Sequence, residues 1–145
     1  QERHAMKILL AVDGSAYTKR MLAYLAAHDE LLGAQHDYTV LTVVPSIPPY
    51  AIDYLDPSML QQYQADQAER VLGPVRAFVG QQGWKAQFLS TTGYAPDVIA
   101  DHANKNAYDL LVLGSHGHGA LLNVVMGSVA TRVIASCQTP VLLIR

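Results

Sequence analysis

Leu110-Leu111-Val112-Leu113-Gly114-Ser115-His116-Gly117-His118-Gly119, and then Gly127-Ser128-Val129, is the stretch on which the reading of this chain turns. An unbroken apolar run enters a glycine-rich segment with the skeleton Gly114, two residues, Gly117, nine residues, Gly127, Ser128. A helical pattern follows: Ala130, Val133, Ile134 and Cys137 recur at i, i+3, i+4 and i+7. A strand that feeds a glycine-rich loop opening a helix is the way α/β proteins hold phosphate. Glycine permits positive φ and lets N–H groups approach an anion with no Cβ in the way. The helix beginning near Ser128 turns its positive end toward the same place. The alternative is a glycine-rich connection that binds nothing.

Working outward, residues 7–12 form an apolar run that ends at Asp13-Gly14-Ser15. Such a strand is buried on both faces, as in a parallel sheet. Ser15 is placed to cap a helix over 16–32, with Met21, Leu22, Leu25 and Leu32 on one face and Gly33 just past its end. Residues 38–44 read as a second strand, stopped by Pro45. The segment 45–57 has four prolines and no period, which predicts a surface loop. Helical spacing returns over 58–82, where Pro74 predicts a kink or a fresh first turn. A third strand spans 85–92, a helix runs from the Gly93–Asp97 opening to about Asn104, a fourth strand spans 108–113, and 140–145 is a fifth. The βαβαβαβαβ order predicts a single-domain α/β fold: a doubly wound, Rossmann-like parallel sheet with helices on both faces.

Bulk composition narrows the function. The 145 residues suit one domain with a real core. Half are apolar and the net charge is −2, which gives no reason to expect a nucleic-acid partner. No apolar run reaches the ~20 residues that span a bilayer, so no membrane insertion is expected. The first residues have no leader-like apolar stretch, and Met6-Lys7-Ile8-Leu9-Leu10 reads as a natural start. The domain is therefore expected over 6–145, with 1–5 a remnant ahead of it. A single cysteine, Cys137, excludes an internal disulfide and fits a cytoplasmic chain.

In open α/β sheets, ligands sit beyond the carboxyl ends of the strands, where strand order reverses. If strands one and four are neighbours, Asp13 and the Gly114 loop border one crevice. The loop would take phosphates, Asp13 would lie by a sugar or a phosphate-bound metal, and the end of strand two would meet a flat base.

The chain as a whole resembles the nucleotide-binding branch of the universal stress proteins. The resemblance runs from Met6 to Arg145. It is carried by Ile8-Leu-Leu-Ala-Val-Asp13-Gly-Ser15, Leu41-Thr-Val-Val-Pro45, Gly93-Tyr-Ala-Pro, Asp109-Leu-Leu-Val-Leu-Gly114-Ser-His-Gly117, Gly127-Ser128-Val129 and Cys137-Gln-Thr-Pro140-Val-Leu-Leu-Ile. It implies strand order 3-2-1-4-5, ATP binding with Mg2+, and a homodimer through Val141–Ile144 that could assemble further. Gly114, Gly117, Gly127 and Ser128 match the family's phosphate-binding positions. Asp13 matches the acid near ribose and metal, and Val43, with Val44 one step away, the residue whose backbone meets adenine. Ala11, Val12, Ser15, Ser115, His116, His118 and Val129 flank these and complete the expected nucleotide-binding set. Two positions depart from the family: His118 stands where arginine is frequent, and Thr42 where histidine is frequent. A neutral imidazole in place of a permanent guanidinium weakens the grip on phosphate or makes it pH-sensitive.

Several of these residues have plainer readings. Asp13 and Ser15 could simply cap the first helix, and Ser128 the last. Cys137 fits core packing, and Asp97 and Asp101 fit a solvated helix face. Tyr50, Tyr54 and Tyr63 serve packing or a partner equally well. His116-Gly117-His118 lacks the cysteine or acidic partner of a metal site, and no Ser/His/Asp spacing argues for a catalytic dyad. The leading expectation is a nucleotide-binding regulatory module acting on an unknown partner. The first rival is a slow ATPase or phosphotransferase. Phosphoryl transfer needs charge-neutralising cations, the loop has neither Lys nor Arg, and the next is Arg132. The second rival is a nucleotide-independent dimeric adaptor for a protein such as a transporter.

Overall fold

A computed structural model of the chain describes residues 5–118 and 124–145. Its elements are β1 (Lys7–Ala11), α1 (Ala16–Ala27), β2 (Asp37–Val44), α2 (Pro49–Ile52), α3 (Pro57–Gln82), β3 (Lys85–Thr92), α4 (Ala95–Lys105), β4 (Leu110–Gly114), α5 (Ser128–Ser136) and β5 (Val141–Ile144). The five strands form one parallel sheet in the order β3-β2-β1-β4-β5. Strands one and four are therefore neighbours, and the chain reverses direction across the sheet between them.

Alternate residues of each central strand feed opposite faces. Ile8 and Leu10 join Val40, Val112 and Ile144 beneath α1 and α3, with Met21, Leu25, Leu72, Val75 and Val79. Leu9 and Ala11 join Leu41, Leu111 and Leu113 beneath α4 and α5, with Ile99, Ala103, Ala130 and Val133. Leu9 and Leu111 are fully buried. Truncating either to alanine costs about 2–5 kcal/mol.

Three local expectations are corrected. The first helix ends at Ala27, not at residue 32: the His28 N–H closes on the Tyr24 carbonyl, and the chain then turns through Gly33 at φ 90. Leu32 is buried even so, delivered by the turn rather than the helix. The proline-rich segment 45–57 contains the short helix α2, and its last proline is already the first residue of α3, capped by the Asp56 carboxylate. Pro74 does not restart α3, which runs through it. The proline leaves the Arg70 carbonyl without its i+4 donor. Gly119 and residues 1–4, the latter belonging to the expected remnant, lie outside the described residues.

Candidate functional site

The described residues enclose a cleft of about 1050 Å³ at the carboxyl end of the sheet, between the tips of β1, β2 and β4 and the heads of α1 and α5. Its polar end is built from the β1 turn. Thr18 Oγ1 accepts from the Asp13 and Gly14 amides, both at 3.1 Å, and donates to Asp13 Oδ1. Oδ1 also accepts from the Ser15 amide at 2.9 Å. Gly14 takes φ 77, and α3 presses on it: a Cβ there would meet Val71 Cγ2 at 3.3 Å. With Oδ1 committed to this knot, Oδ2 is the oxygen left to a ligand. It lies so close to Gly117 that a Cβ at that position would collide with it.

The glycine-rich loop is folded onto itself and onto β1. The Gly127 N–H donates to the Ser115 carbonyl at 2.6 Å, and the Ser115 N–H to the Ile144 carbonyl at 2.7 Å. His116 Nε2–H donates to the Val124 carbonyl at 2.9 Å, which leaves Nδ1 to accept from Ser115 Oγ at 2.9 Å. His118 Nε2–H donates to the Asp13 carbonyl at 2.7 Å. Gly114, Gly117 and Gly127 do not take positive φ. They are glycines because of contact. A Cβ at Gly114 would lie 2.8 Å from Tyr17 Cβ, and one at Gly127 3.1 Å from the Ser115 oxygen. The expectation of left-handed backbone in this loop is corrected in favour of close approach.

At the head of α5 the cap is the Gly127 backbone, with no side-chain hydrogen bond. The Ser128, Val129 and Ala130 amides belong to the first turn, where the helix supplies no acceptor. They line the cleft. Its apolar lining includes Leu41, Val43, Ala95, Ile99, Met126 and Val129. Pairing of β1 to β2 stops at Ala11 and Leu41, and the Val12 N–H makes the final bond to the Leu41 carbonyl. Parallel strands present successive residues to alternate sides, so the Val43 N–H and C=O face the opening beyond β1. The Val44 carbonyl faces the other way and accepts from Gly93.

The structure thus brings Ala11, Val12, Asp13, Val43, Gly114, His116, Gly117, His118, Gly127, Ser128 and Val129 to one cleft. Ser15 and Ser115 stand behind its wall. Ser15 Oγ caps α1 through the Tyr17 amide, and Ser115 is buried against His116. Arg132 turns away to Asp97 at 3.1 Å. The sequence reading missed Tyr17, Thr18, Gln67, Arg70 and Met126, which also line the cleft. Met126 adjoins Gly127 and was open to inspection, whereas the α3 residues carry no local signal. Among the described residues, no three His, Cys, Asp or Glu side chains converge as metal ligands. A lone carboxylate oxygen such as Asp13 Oδ2 fits the donor set of Mg2+, which keeps most of its waters and takes one or two carboxylates plus substrate oxygens. No helix among the described residues is long and apolar enough to cross a membrane.

Comparison with known proteins agrees with this fold. The universal stress protein family matches residues 4–145. A universal stress protein of Thermus aquaticus, from the QAH/OAS sulfhydrylase 3′ region, is 33% identical over 141 residues, covering 95% of this chain and 97% of its own. Universal stress protein Slr1230 of Synechocystis is 27% identical over 96% of this chain, which spans only 42% of that relative's length. Universal stress protein UspA from Lactobacillus plantarum superposes with a TM-score of 0.80 at 23% identity, over 99% of this chain and 100% of its own. An Arabidopsis thaliana family member with AMP bound gives 0.69 at 20% identity, over 96% and 90%. A universal stress protein in complex with cAMP gives 0.62 at 20% identity, over 99% and 98%. At these identities the structures establish a shared fold.

Proposed function

This chain belongs to the universal stress protein family, and from that premise we propose that its cleft binds an adenine nucleotide, ATP foremost, whose occupancy regulates a partner. One observation carries the reading. The unpaired head of α5 and the glycine-lined loop border the same cleft as a set of apolar side chains and the free backbone of Val43. Amides at a helix N-terminus favour a polyphosphate; an apolar slot with two backbone groups at its rim favours a base. That two structural relatives hold AMP and cAMP supports an adenylate here.

In this reading, Ser128, Val129 and Gly117 hold the phosphates, with Gly114 and Gly127 keeping the loop close. Asp13 Oδ2 takes a ribose hydroxyl or a water of the accompanying Mg2+, which would supply charge neutralisation. Val43 reads the base edge. Ala11 and Val12 form the floor, His116 and His118 fix the loop, and Ser15 and Ser115 support it from behind. The phosphates displace or tighten the His116–Val124 and His118–Asp13 contacts, so occupancy changes the loop that a partner or a second copy meets. Hydrolysis is slow at most, since both His116 nitrogens are engaged and, among the described residues, no group is aligned as a base. The protein works in the cytoplasm as a homodimer joined at β5, without nucleic acid or membrane.

The test is direct. The purified protein is denatured and the supernatant run on anion exchange. Co-purified ATP, or saturable ATP binding on titration, is the expected result. ADP accumulating within minutes on adding Mg2+ would shift the reading to an enzyme, and absence of any binding would leave only the adaptor.

A further inference from the structure

We propose that Arg70 of α3 supplies the cation that the glycine-rich loop lacks, and that it makes the site selective for polyphosphate over monophosphate nucleotides. The inference rests on the nucleotide reading above and adds the residue that sets which nucleotide is preferred. Among the described residues, Arg70 is the only Lys or Arg lining the cleft; its other titratable groups are Asp13, Tyr17, His116 and His118. Gln67, Arg70 and Val71 fall at i, i+3 and i+4, so they share one face of α3. That face is anchored over the β1 turn by the contact of Val71 with Gly14. Arg70 therefore lines the cleft from α3, which covers the face of the sheet opposite α5.

The carboxylates nearest to Arg70 along α3 are occupied elsewhere. Glu69 accepts from Arg76 at 2.6 Å, and Asp66 accepts from Gln62 at 2.8 Å. Arg70 itself is exposed and has no ion-pair partner among the described residues. A guanidinium is charged at every physiological pH and forks onto phosphate oxygens. Helix amides and glycines bind the first phosphate of any nucleotide. A cation across the cleft adds attraction only where further negative charge extends toward it.

The experiment is calorimetric titration of the full-length chain with Mg-ATP, ADP and AMP. It compares the wild type with Arg70→Gln and Arg70→Lys at low and at about 0.3 M salt. Arg70→Gln is expected to weaken ATP about three- to tenfold and AMP less than about twofold, and to flatten the salt dependence for ATP. Arg70→Lys should keep most of the preference. Unchanged far-UV circular dichroism and urea midpoint would establish that the variant is folded. If the wild type binds nucleotide and Arg70→Gln keeps its ATP-to-AMP ratio, Arg70 is only a solvated surface cation and the assignment is overturned. A wild type that binds none of the three overturns the nucleotide reading itself, and this one with it.

Discussion

His118 donates from Nε2 to the carbonyl oxygen of Asp13 at 2.7 Å, joining residues 105 apart in sequence. The bond fastens the glycine-rich loop to the carboxyl end of β1, so the two halves of the cleft's polar end are tied before any ligand arrives. One such bond contributes about 1 kcal/mol net. His118→Ala should therefore speed amide exchange at Asp13–Ser15 and at Gly117 by up to about tenfold and lower the urea midpoint by about 0.3–1 M. Exchange rates equal to wild type would mean the tie is not populated in solution.

Gly127 lies where a side chain has no room. Its Cβ would meet the Ser115 oxygen at 3.1 Å and the His116 Cα at 3.2 Å, both of them backbone and unable to swing aside. Gly127→Val should push the head of α5 off the loop at about 1–3 kcal/mol and abolish ATP binding, with a native-like circular-dichroism spectrum. ATP affinity retained in that variant would remove the loop from the site.

The wound sheet was legible because its central strands are apolar on both faces, and βα alternation permits few other topologies. Where α1 stops was not. Leu31 and Leu32 continue the apolar pattern, while the His28 turn that ends the helix depends on Tyr38 and His36, which reach it from around β2. The main line of the site was legible for the same reason as the sheet: Asp13 and Gly114 close adjacent strands. Ser15 and Ser115 illustrate the limit. Sequence gives a hydroxyl near a glycine-rich loop, but only the fold decides whether that oxygen is already taken by an amide or an imidazole. Arg70 lay beyond reach altogether, since its placement depends on Val71 of α3 seating against Gly14, far earlier in the chain.

Tyr38 holds the turn after α1. Its hydroxyl accepts from the Gly33 amide and donates to the Gly33 carbonyl, both at 2.8 Å, and its ring stacks on Trp84. Burial, outweighing the Gly33 bond, pushes the phenol above its usual 10.0. Tyr38→Phe keeps the packing but strips both Gly33 groups of their partner. It should cost about 2 kcal/mol in urea denaturation and leave nucleotide affinity unchanged, because the turn is at the opposite end of β2 from the cleft. A loss under about 0.5 kcal/mol would mean that water replaces the hydroxyl.

His102 supplies a pH dependence. Burial first, and the charge of Lys7 second, hold its imidazole below the ordinary 6.5, with Asp101 opposing. The Asn106 amide donates toward Nδ1, so Nε2–H donates to the Tyr108 hydroxyl at 2.8 Å. As pH falls through about 6.5 the unfolded chain takes up a proton that the folded chain resists. The contribution is therefore intact above that pH and lost as pH falls toward the folded value. His102→Gln should lose less stability than wild type between about pH 7.5 and 5.5 in urea titrations. Equal losses would remove His102 as a cause.

The open edge of β5 permits a clean test of the proposed dimer. Leu142 and Ile144 present their backbone to β4, as the bond from the Ser115 amide to the Ile144 carbonyl fixes. Alternation then turns the Val141 and Leu143 amides outward, to the side where no strand lies among the described residues. Proline is tolerated on an edge strand where the missing N–H faces away from the sheet. Leu143→Pro should therefore keep the β4–β5 ladder while removing a donor that a second copy needs, and sedimentation should move from dimer to monomer. The Leu143 side chain is half-buried against Leu111 and its neighbours, so about 1–2 kcal/mol of packing is lost as well. Leu143→Ala loses that packing but keeps the N–H, and it should remain dimeric. Monomers in both variants would assign the association to side-chain packing, and dimers in both would place the interface elsewhere than this edge.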